Sequence, residues 1–312
     1  MPIQQDSKTD MIVLEGKNLR VIVDPIAGGK IRSLFSKRTG IEYLYQDPRQ
    51  NFTPGPSYGS HDLSGFDECF PTVWPCSYPD GKRQGLELGD HGWLWQQPWK
   101  AEVADGQVIM RCEIAQLNCE FQRTCRLSSD DGLTLDYRIT NHDEEPLKFI
   151  YSAHPLLAAG PDTQLMLPDE VEEVFVFFVA NATGIPESSW IAWPPPDNAD
   201  LLAPYSASRK SCFKGYTRRL KTGRASVRHA DRGERLQFEF NSEDLPHLGF
   251  LMSQGFDEDP HGSFAGELFL ALEPTTGVGD DLPTCEQTRT TATLEPGETK
   301  PFTIQLSLVD EQ

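Results

Sequence analysis

The chain has 312 residues, of which 38% are hydrophobic, and its formal net charge is −19. This charge repels polyphosphates and anionic lipid surfaces, so we expect neither nucleic acid nor a membrane as a partner. The length allows a sizeable core, in one large β domain or in two ordinary domains.

The N-terminus and the cysteines bear on the compartment. The first ten residues are polar and lack the apolar centre of a secretory signal, and no later segment approaches the ~20 apolar residues that span a bilayer. The seven cysteines form no C-x-x-C pair, which argues against a zinc site or a disulfide framework. We therefore expect a cytoplasmic protein, with residues 1–10 as a flexible tail.

Strand-like alternation of apolar and polar residues starts at Leu19 and indicates a β-meander. Residues 46–85 follow as a stretch rich in proline, glycine and aromatics, which we interpret as an ordered wall over one end of a sheet. Two further series of strands, from Trp99 to Leu157 and from Ser211 to Val309, are joined by short turns that favour antiparallel pairing. No helix of ordinary length is predicted. The pattern predicts an all-β fold, one large antiparallel β-sandwich domain over residues 1–312.

Two polar residues end apolar strands of this pattern. His154 precedes Pro155, which favours an extended backbone, and an imidazole held there suits a general acid. Glu273, in LALEP, has the same placement, and beside an imidazole it would complete an acid/base couple. The structural alternatives are a histidine that only satisfies a hydrogen bond and a plain surface glutamate.

Five motifs, taken together and in order, resemble the galactose mutarotase-like (aldose 1-epimerase) superfamily. They are GGKIRSL, GFDECFPTVWP, GDHGWLWQQPW, ITNHDEEPLKFIYSAHPLL, and LALEPTTG with LEPGET, and the resemblance runs from about Leu19 to the C-terminus. It implies a β-supersandwich with a sugar cleft on one sheet. It also implies an isomerase that interconverts the α and β anomers of a free aldose without a cofactor or a metal.

The resemblance implies a role for three of the candidate site residues. His154 corresponds to the histidine that protonates the ring oxygen, and Glu273 to the glutamate that takes the proton of the anomeric hydroxyl. His91, in DHG, corresponds to the histidine that hydrogen-bonds the sugar near its ring oxygen, with Asp90 either orienting it or only forming the turn. Asp67 and Glu68, in GFDE, match no family residue and are candidates for further hydrogen bonds to sugar hydroxyls. Trp74 is a candidate stacking platform, whereas Trp93, Trp95 and Trp99 are more typical of core filling.

Other functions are compatible with the sequence. A non-catalytic carbohydrate-binding protein could keep the fold, and glycoside cleavage could use Glu68 with Glu273 if their carboxylates lay ~5–10 Å apart. A metal site from His61, His91 and His154 lacks a preorganising spacing. A phosphate clamp would need basic residues, and candidates in loop-like positions are Arg49, Lys82, Arg83 and Lys214. The sequence leaves the sugar and the oligomeric state open.

Overall fold

The computed structural model describes residues 3–5, 10–48, 57–60, 62–182, 184–195, 205–257 and 266–311. His61 and Arg49, both named above, lie outside these residues. In chain order the strands are β1 (Ile3–Gln5), β2 (Ile12–Glu15), β3 (Leu19–Asp24), β4 (Lys30–Ser36), β5 (Phe66–Cys69), β6 (Cys76–Ser77), β7 (Glu87–Leu88), β8 (Lys100–Ala104), β9 (Gln107–Ile114), β10 (Cys119–Leu127), β11 (Gly132–Asn141), β12 (Leu147–Phe149), β13 (Ser152–Ala158), β14 (Thr163–Met166), β15 (Glu173–Ala180), β16 (Ser189–Ala192), β17 (Ser211–Thr217), β18 (Arg224–His229), β19 (Glu234–Phe240), β20 (His247–Gln254), β21 (Leu268–Thr275), β22 (Ala292–Leu294) and β23 (Thr299–Asp310).

Helix is scarce, as the sequence predicts. The α-helix of the described residues is α1 (Leu282–Thr288), whose N-terminus is capped by Asp281 through a 2.7 Å hydrogen bond from the backbone N–H of Thr284. Short 3₁₀ turns cover Tyr58–Ser60, Gly81–Arg83 and Ala207–Arg209. No helix within the described ranges is long and apolar enough to cross a membrane.

Two large antiparallel sheets form the body of the molecule. The first has eleven strands in the order β1-β2-β3-β4-β5-β13-β21-β20-β17-β15-β16, and the second has eight in the order β14-β18-β19-β23-β11-β10-β9-β8. Two small sheets pair β12 with β22 and β6 with β7. One hydrophobic cluster takes residues from both large sheets, for example Val21 and Leu272 of the first and Phe121 and Ile304 of the second. The predicted β-sandwich is confirmed.

The first sheet is covered on both faces at its centre. In β21, Leu270 and Leu272 join the core between the sheets, whereas Phe269 and Ala271 join a second cluster on the opposite face. The alternation follows from the two-residue period of a strand. Glu273 continues the series of Phe269 and Ala271, so it faces away from the sandwich core.

Two regions differ from the expectation. Within residues 46–85, which we expected as a wall of loop, the structure contains β5, and this strand lies between β4 and β13 in the first sheet. In the predicted N-terminal tail, Ile3–Gln5 pair with Ile12–Leu14 at the sheet edge. Both segments are too short for a clear periodic signal in the sequence. All seven cysteines are free.

Candidate active site

A small cleft opens on the outer face of the first sheet, above β5, β13, β21, β20 and β17. His154, His91, Tyr58, Trp74, Lys214 and Asp280 are among its lining residues. Strand register brings the predicted pair together here. Ser152 of β13 is opposite Thr275 of β21 and Leu156 is opposite Ala271, so His154 and Glu273 are level with each other on neighbouring strands.

His154 is held by a chain of buried polar groups. The Tyr58 hydroxyl lies 3.3 Å from His154 Nδ1 and donates to Asp67 Oδ2 at 3.0 Å. Lys30 Nζ lies 3.1 Å from the same Asp67 oxygen. Because the Tyr58 proton is engaged by Asp67, Nδ1–H of His154 donates to the Tyr58 oxygen. The other ring nitrogen, Nε2, is thereby left for a ligand, and it lies 3.9 Å from Glu273 Oε1.

The surroundings of His154 disfavour its charged form. Burial lowers the pKa of His154 well below its ordinary value, and electrostatic interactions with His91, Lys214 and Lys30 lower it further. The imidazole is therefore neutral near pH 7. A nearby negative charge is needed to hold a proton on it.

Glu273 supplies that negative charge, but its carboxylate is fully buried and is already hydrogen-bonded by Lys214 and Ser152. Lys214 Nζ lies 2.6 Å from Oε1 and 2.5 Å from Oε2, and the Ser152 hydroxyl donates to Oε2 at 3.3 Å. Burial raises the pKa of Glu273, while the ammonium of Lys214 lowers it. Desolvation and the ion pair with Lys214 thus shift the pKa of this carboxyl group in opposite directions.

His91 stands over His154 because of a tight turn. His91 has φ 58°, and the following Gly92 has φ 69° and packs so closely that a Cβ there would be 1.9 Å from the carbonyl oxygen of Phe70. His91 Nδ1 is 2.8 Å from Asp90 Oδ1. Its ring stacks on Tyr58 at 3.6 Å and meets His154 edge-on at 4.7 Å between centroids. Asp90 therefore binds His91 as well as forming the turn.

The fold has counterparts among solved structures. Protein Slr1438 of Synechocystis sp. PCC 6803 superposes with a TM-score of 0.74 at 17% sequence identity, over 99% of this chain and 98% of that one. A galactose mutarotase-like protein of Lactobacillus casei ATCC 334 gives a TM-score of 0.69 at 18% identity over 96% of this chain and 100% of that one. The chain has a galactose mutarotase-like fold. A galactose mutarotase related enzyme of Lactobacillus acidophilus gives 0.68 at 15% over 97% and 98%. No protein-family model and no curated protein matches the sequence.

On this mutarotase-like fold, Asp67 and Glu68 point to opposite faces of β5. Asp67 is opposite His154 in the strand pairing and supports it through Tyr58. Glu68 instead points into the sandwich core, where it accepts hydrogen bonds from Arg123 at 2.7 Å and from Tyr137 and Tyr151 at 2.8 and 2.7 Å. The structure thus separates Glu68 from the cleft, since successive strand residues alternate faces. A glycosidase pair of Glu68 and Glu273 has no basis in this geometry.

Two residues of the cleft carry chemistry that the sequence analysis did not assign. Lys214 was placed in a loop-like position, but it lies within β17 and is buried beside Glu273. Asp280, after β21, accepts a hydrogen bond from Tyr216 and lies 3.5 Å from Lys214 Nζ. A lysine within the apolar strand CFKGY was a usable signal, because lysine is almost never buried without a partner.

The remaining candidates divide between the cleft and the rest of the molecule. Trp74 lines the cleft, whereas Trp95 and Trp99 are buried in hydrophobic clusters. Lys82 and Arg83 both pair with Asp143, in the turn after β11, and form no part of the cleft lining. Of the three described residues considered for a phosphate clamp, Lys214 lines the cleft and Lys82 and Arg83 do not.

A metal ion would find a possible ligand group in Cys69, His91 and His154, whose ligand atoms lie within 4.8 Å of one another. Zinc bonds of ~2.0–2.3 Å would require these atoms to draw closer together. Metal binding would also occupy His154 and His91, which the fold presents to the cleft. The residues fit a hydrogen-bonding role better than zinc coordination, and the absence of a cofactor stays a prediction.

Proposed function

We propose that the protein is an aldose 1-epimerase-like mutarotase that interconverts the α and β anomers of a free aldose. The observation that carries this proposal is the 3.9 Å separation between His154 Nε2 and Glu273 Oε1 at the cleft. An imidazole and a carboxylate this close can reach two oxygens bonded to the same carbon. The anomeric carbon of a pyranose carries such a pair, the ring oxygen and the anomeric hydroxyl.

The reaction follows from two proton transfers. Glu273 takes the proton of the anomeric hydroxyl while His154, in its imidazolium form, gives a proton to the ring oxygen. The bond between C1 and the ring oxygen breaks, C1 becomes an aldehyde, and rotation about the adjoining bond exposes its other face before the ring closes again. Each transfer of this kind contributes about 10²–10⁴-fold in rate.

The remaining cleft residues hold the sugar and the acid in this proposal. His91 hydrogen-bonds the sugar near its ring oxygen, and Trp74 offers an aromatic surface for the ring. Asp67 acts through Tyr58 by fixing the orientation of His154. Glu68 serves the core rather than the sugar.

An uncharged aldose suits this cleft better than a sugar phosphate. In the described part of the cleft and its walls, Lys214 is paired with Glu273 and Lys30 with Asp67. Asp280 and Asp90 add negative charge to the lining. Among the described residues of the cleft, a phosphate group would therefore meet carboxylates without an unpaired cation to balance them.

The test is anomer exchange measured by NMR saturation transfer across free aldoses, sugar phosphates, and uronic and sulfonated sugars. We expect accelerated exchange for at least one uncharged aldose, and its loss in the Glu273→Gln variant. The proposal fails if no sugar is accelerated, or if Glu273→Gln exchanges at the wild-type rate.

A non-catalytic carbohydrate-binding role is the second candidate, because Glu273 has no exposed surface and both of its oxygens contact Lys214. Under this role, isothermal titration calorimetry would detect sugar binding while NMR showed no faster exchange. His154 and Glu273 would then serve only as ligand contacts or supports.

A further inference from the structure

Lys214 stands between the cleft and the carboxylate that the proposed reaction needs. Lys214 is part of the cleft lining, whereas Glu273 is 0% exposed and is not. A general base has to come within hydrogen-bond reach of the proton that it removes. The group that an entering sugar meets first is therefore the ammonium, with the carboxylate behind it.

The contact reaches across an intervening strand. Lys214 lies in β17 and Glu273 in β21, with β20 between them. Gly249 of β20 is opposite Glu273, and a Cβ at Gly249 would lie 3.1 Å from Glu273 Oε2 and 2.9 Å from Cε1 of Tyr216. The missing side chain therefore leaves the space through which the ammonium meets the carboxylate.

A second acceptor lies beside Lys214. Asp280 Oδ1 is 3.5 Å from Lys214 Nζ, just beyond a normal hydrogen bond, and Asp280 is itself part of the cleft lining. A movement of less than about 1 Å would bring the ammonium into hydrogen-bond distance of Asp280. Tyr216 already donates to the same Asp280 oxygen and so fixes the carboxylate in place.

The cleft is small relative to a pyranose, and its volume is about 60 Å³. A sugar that binds there contacts the lining side chains directly. Lys214 is the lining side chain that has a second ionic partner ready to receive it.

We propose that the anomeric hydroxyl of the bound sugar displaces Lys214 from one oxygen of Glu273, and that the ammonium moves onto Asp280 and donates a hydrogen bond to the sugar. Lys214 is thus a substrate-contacting residue that uncovers the base only when a free anomeric hydroxyl is present. The inference rests on the proposed mutarotase function. Lys214 keeps its three protons throughout, and the proton of the anomeric hydroxyl goes to Glu273.

The electrostatics favour catalysis once Lys214 has moved. Lys214 lowers the pKa of Glu273 and also lowers that of His154. Departure of the ammonium therefore makes Glu273 a stronger base and lets its carboxylate hold a proton on His154. The charged and titratable groups around Glu273 are Lys214 and Tyr216 of β17, His154 of β13, Cys69 of β5, and the loop residues Asp280 and His91.

The first experiment compares two crystal structures of the wild-type protein. One contains the aldose that exchanges fastest in the panel, beginning with D-glucose and D-galactose, and the other contains the 1-deoxy analogue, 1,5-anhydro-D-glucitol or its galacto counterpart. We expect Lys214 on Asp280 with the aldose and on Glu273 with the analogue, which has no anomeric hydroxyl. Lys214 on both oxygens of Glu273 in the aldose complex would overturn the inference.

The second experiment measures kinetics of Lys214→Met, Asp280→Asn and, as a matched control, Lys210→Met. Lys210 precedes β17 and pairs with Asp257 on the surface. We expect KM to rise about 10- to 100-fold in Lys214→Met and Asp280→Asn, the value of one hydrogen bond to a charged group. In Lys214→Met the acid limb of kcat/KM should also move to higher pH. Lys210→Met should change neither quantity.

The outcomes separate this inference from the proposed function. Unchanged KM and an unchanged acid limb in a folded Lys214→Met would overturn the inference alone, while wild-type exchange would still support the mutarotase. If Lys214→Met does not fold, Asp280→Asn and the two wild-type complexes decide. Absence of both binding and exchange for every sugar would overturn both proposals together.

Discussion

Glu68 and Glu273 are two fully buried glutamates that each face a buried cation, yet their surroundings differ. Glu68 is enclosed by Arg123, Tyr137 and Tyr151 in the core between the sheets. Glu273 shares Lys214 with Asp280, and both of these partners line the cleft. Burial raises the pKa of both carboxyl groups. A buried carboxyl group with a shifted pKa is thus a candidate for catalysis only where its charged partner can move and a ligand can reach the site.

The largest expected effect is on the anomer exchange rate, which should depend on Glu273 and not on Glu68. Glu273→Gln removes the proposed base, so we expect the anomer exchange rate to fall about 10²–10⁴-fold. Glu68→Gln should keep the wild-type rate per folded molecule, because Glu68 has no access to the cleft. NMR saturation transfer measures both rates. Equal losses in the two variants would show that the comparison between them is wrong.

The next effect concerns stability. Arg123→Met leaves the carboxylate of Glu68 buried without its cation, and we expect the free energy of unfolding to drop by about 3–5 kcal/mol. Urea denaturation followed by fluorescence measures this change. The matched surface variant is Arg219→Met, which removes an exposed ion pair with Glu243 and should cost less than about 1 kcal/mol. Similar losses in both would mean that the Glu68 cluster does not support the core.

Tyr58→Phe tests the hydrogen bond that orients His154, the proposed acid. The variant removes the hydroxyl that links Asp67 to His154, and it keeps the ring that stacks on His91. We expect kcat to fall about tenfold, the value of one buried hydrogen bond, with little change in KM. A loss confined to KM would instead assign Tyr58 to sugar binding.

The smallest effect is a shift in pH dependence. Glu273 acts as a base only when ionised, so kcat/KM should fall as the pH drops through its pKa, which burial raises above the ordinary glutamate value. In Glu68→Gln the position of this acid limb should not change, because Glu68 lies in the other cluster. An acid limb that moves in Glu68→Gln would show that the two glutamates are coupled electrostatically.

Some of the site was predictable from local sequence. His154 and Glu273 were predicted as an acid/base couple, and the structure brings them to 3.9 Å. Their predicted placement at strand ends is wrong, because His154 lies within β13 and Glu273 within β21. Asp67 and Glu68 are neighbours in one motif, and the sequence did not distinguish their roles. Only the strand β5 shows that their side chains point to opposite faces of the sheet. Lys214 was named for its charge alone, and its position beside Glu273 depends on a strand that is more than fifty residues away in the chain.

The sequence by itself determined the all-β class, the alternating faces of the strands and the apolar content of the core, because these depend on residues within one strand. The tertiary structure decided the order β5-β13-β21-β20-β17 and therefore which side chains meet. Pairing between distant strands is a long-range choice that no local period records. The ion pair between Lys214 and Glu273 forms across Gly249 and exists only in the folded sheet. The pKa of the proposed base depends on this ion pair.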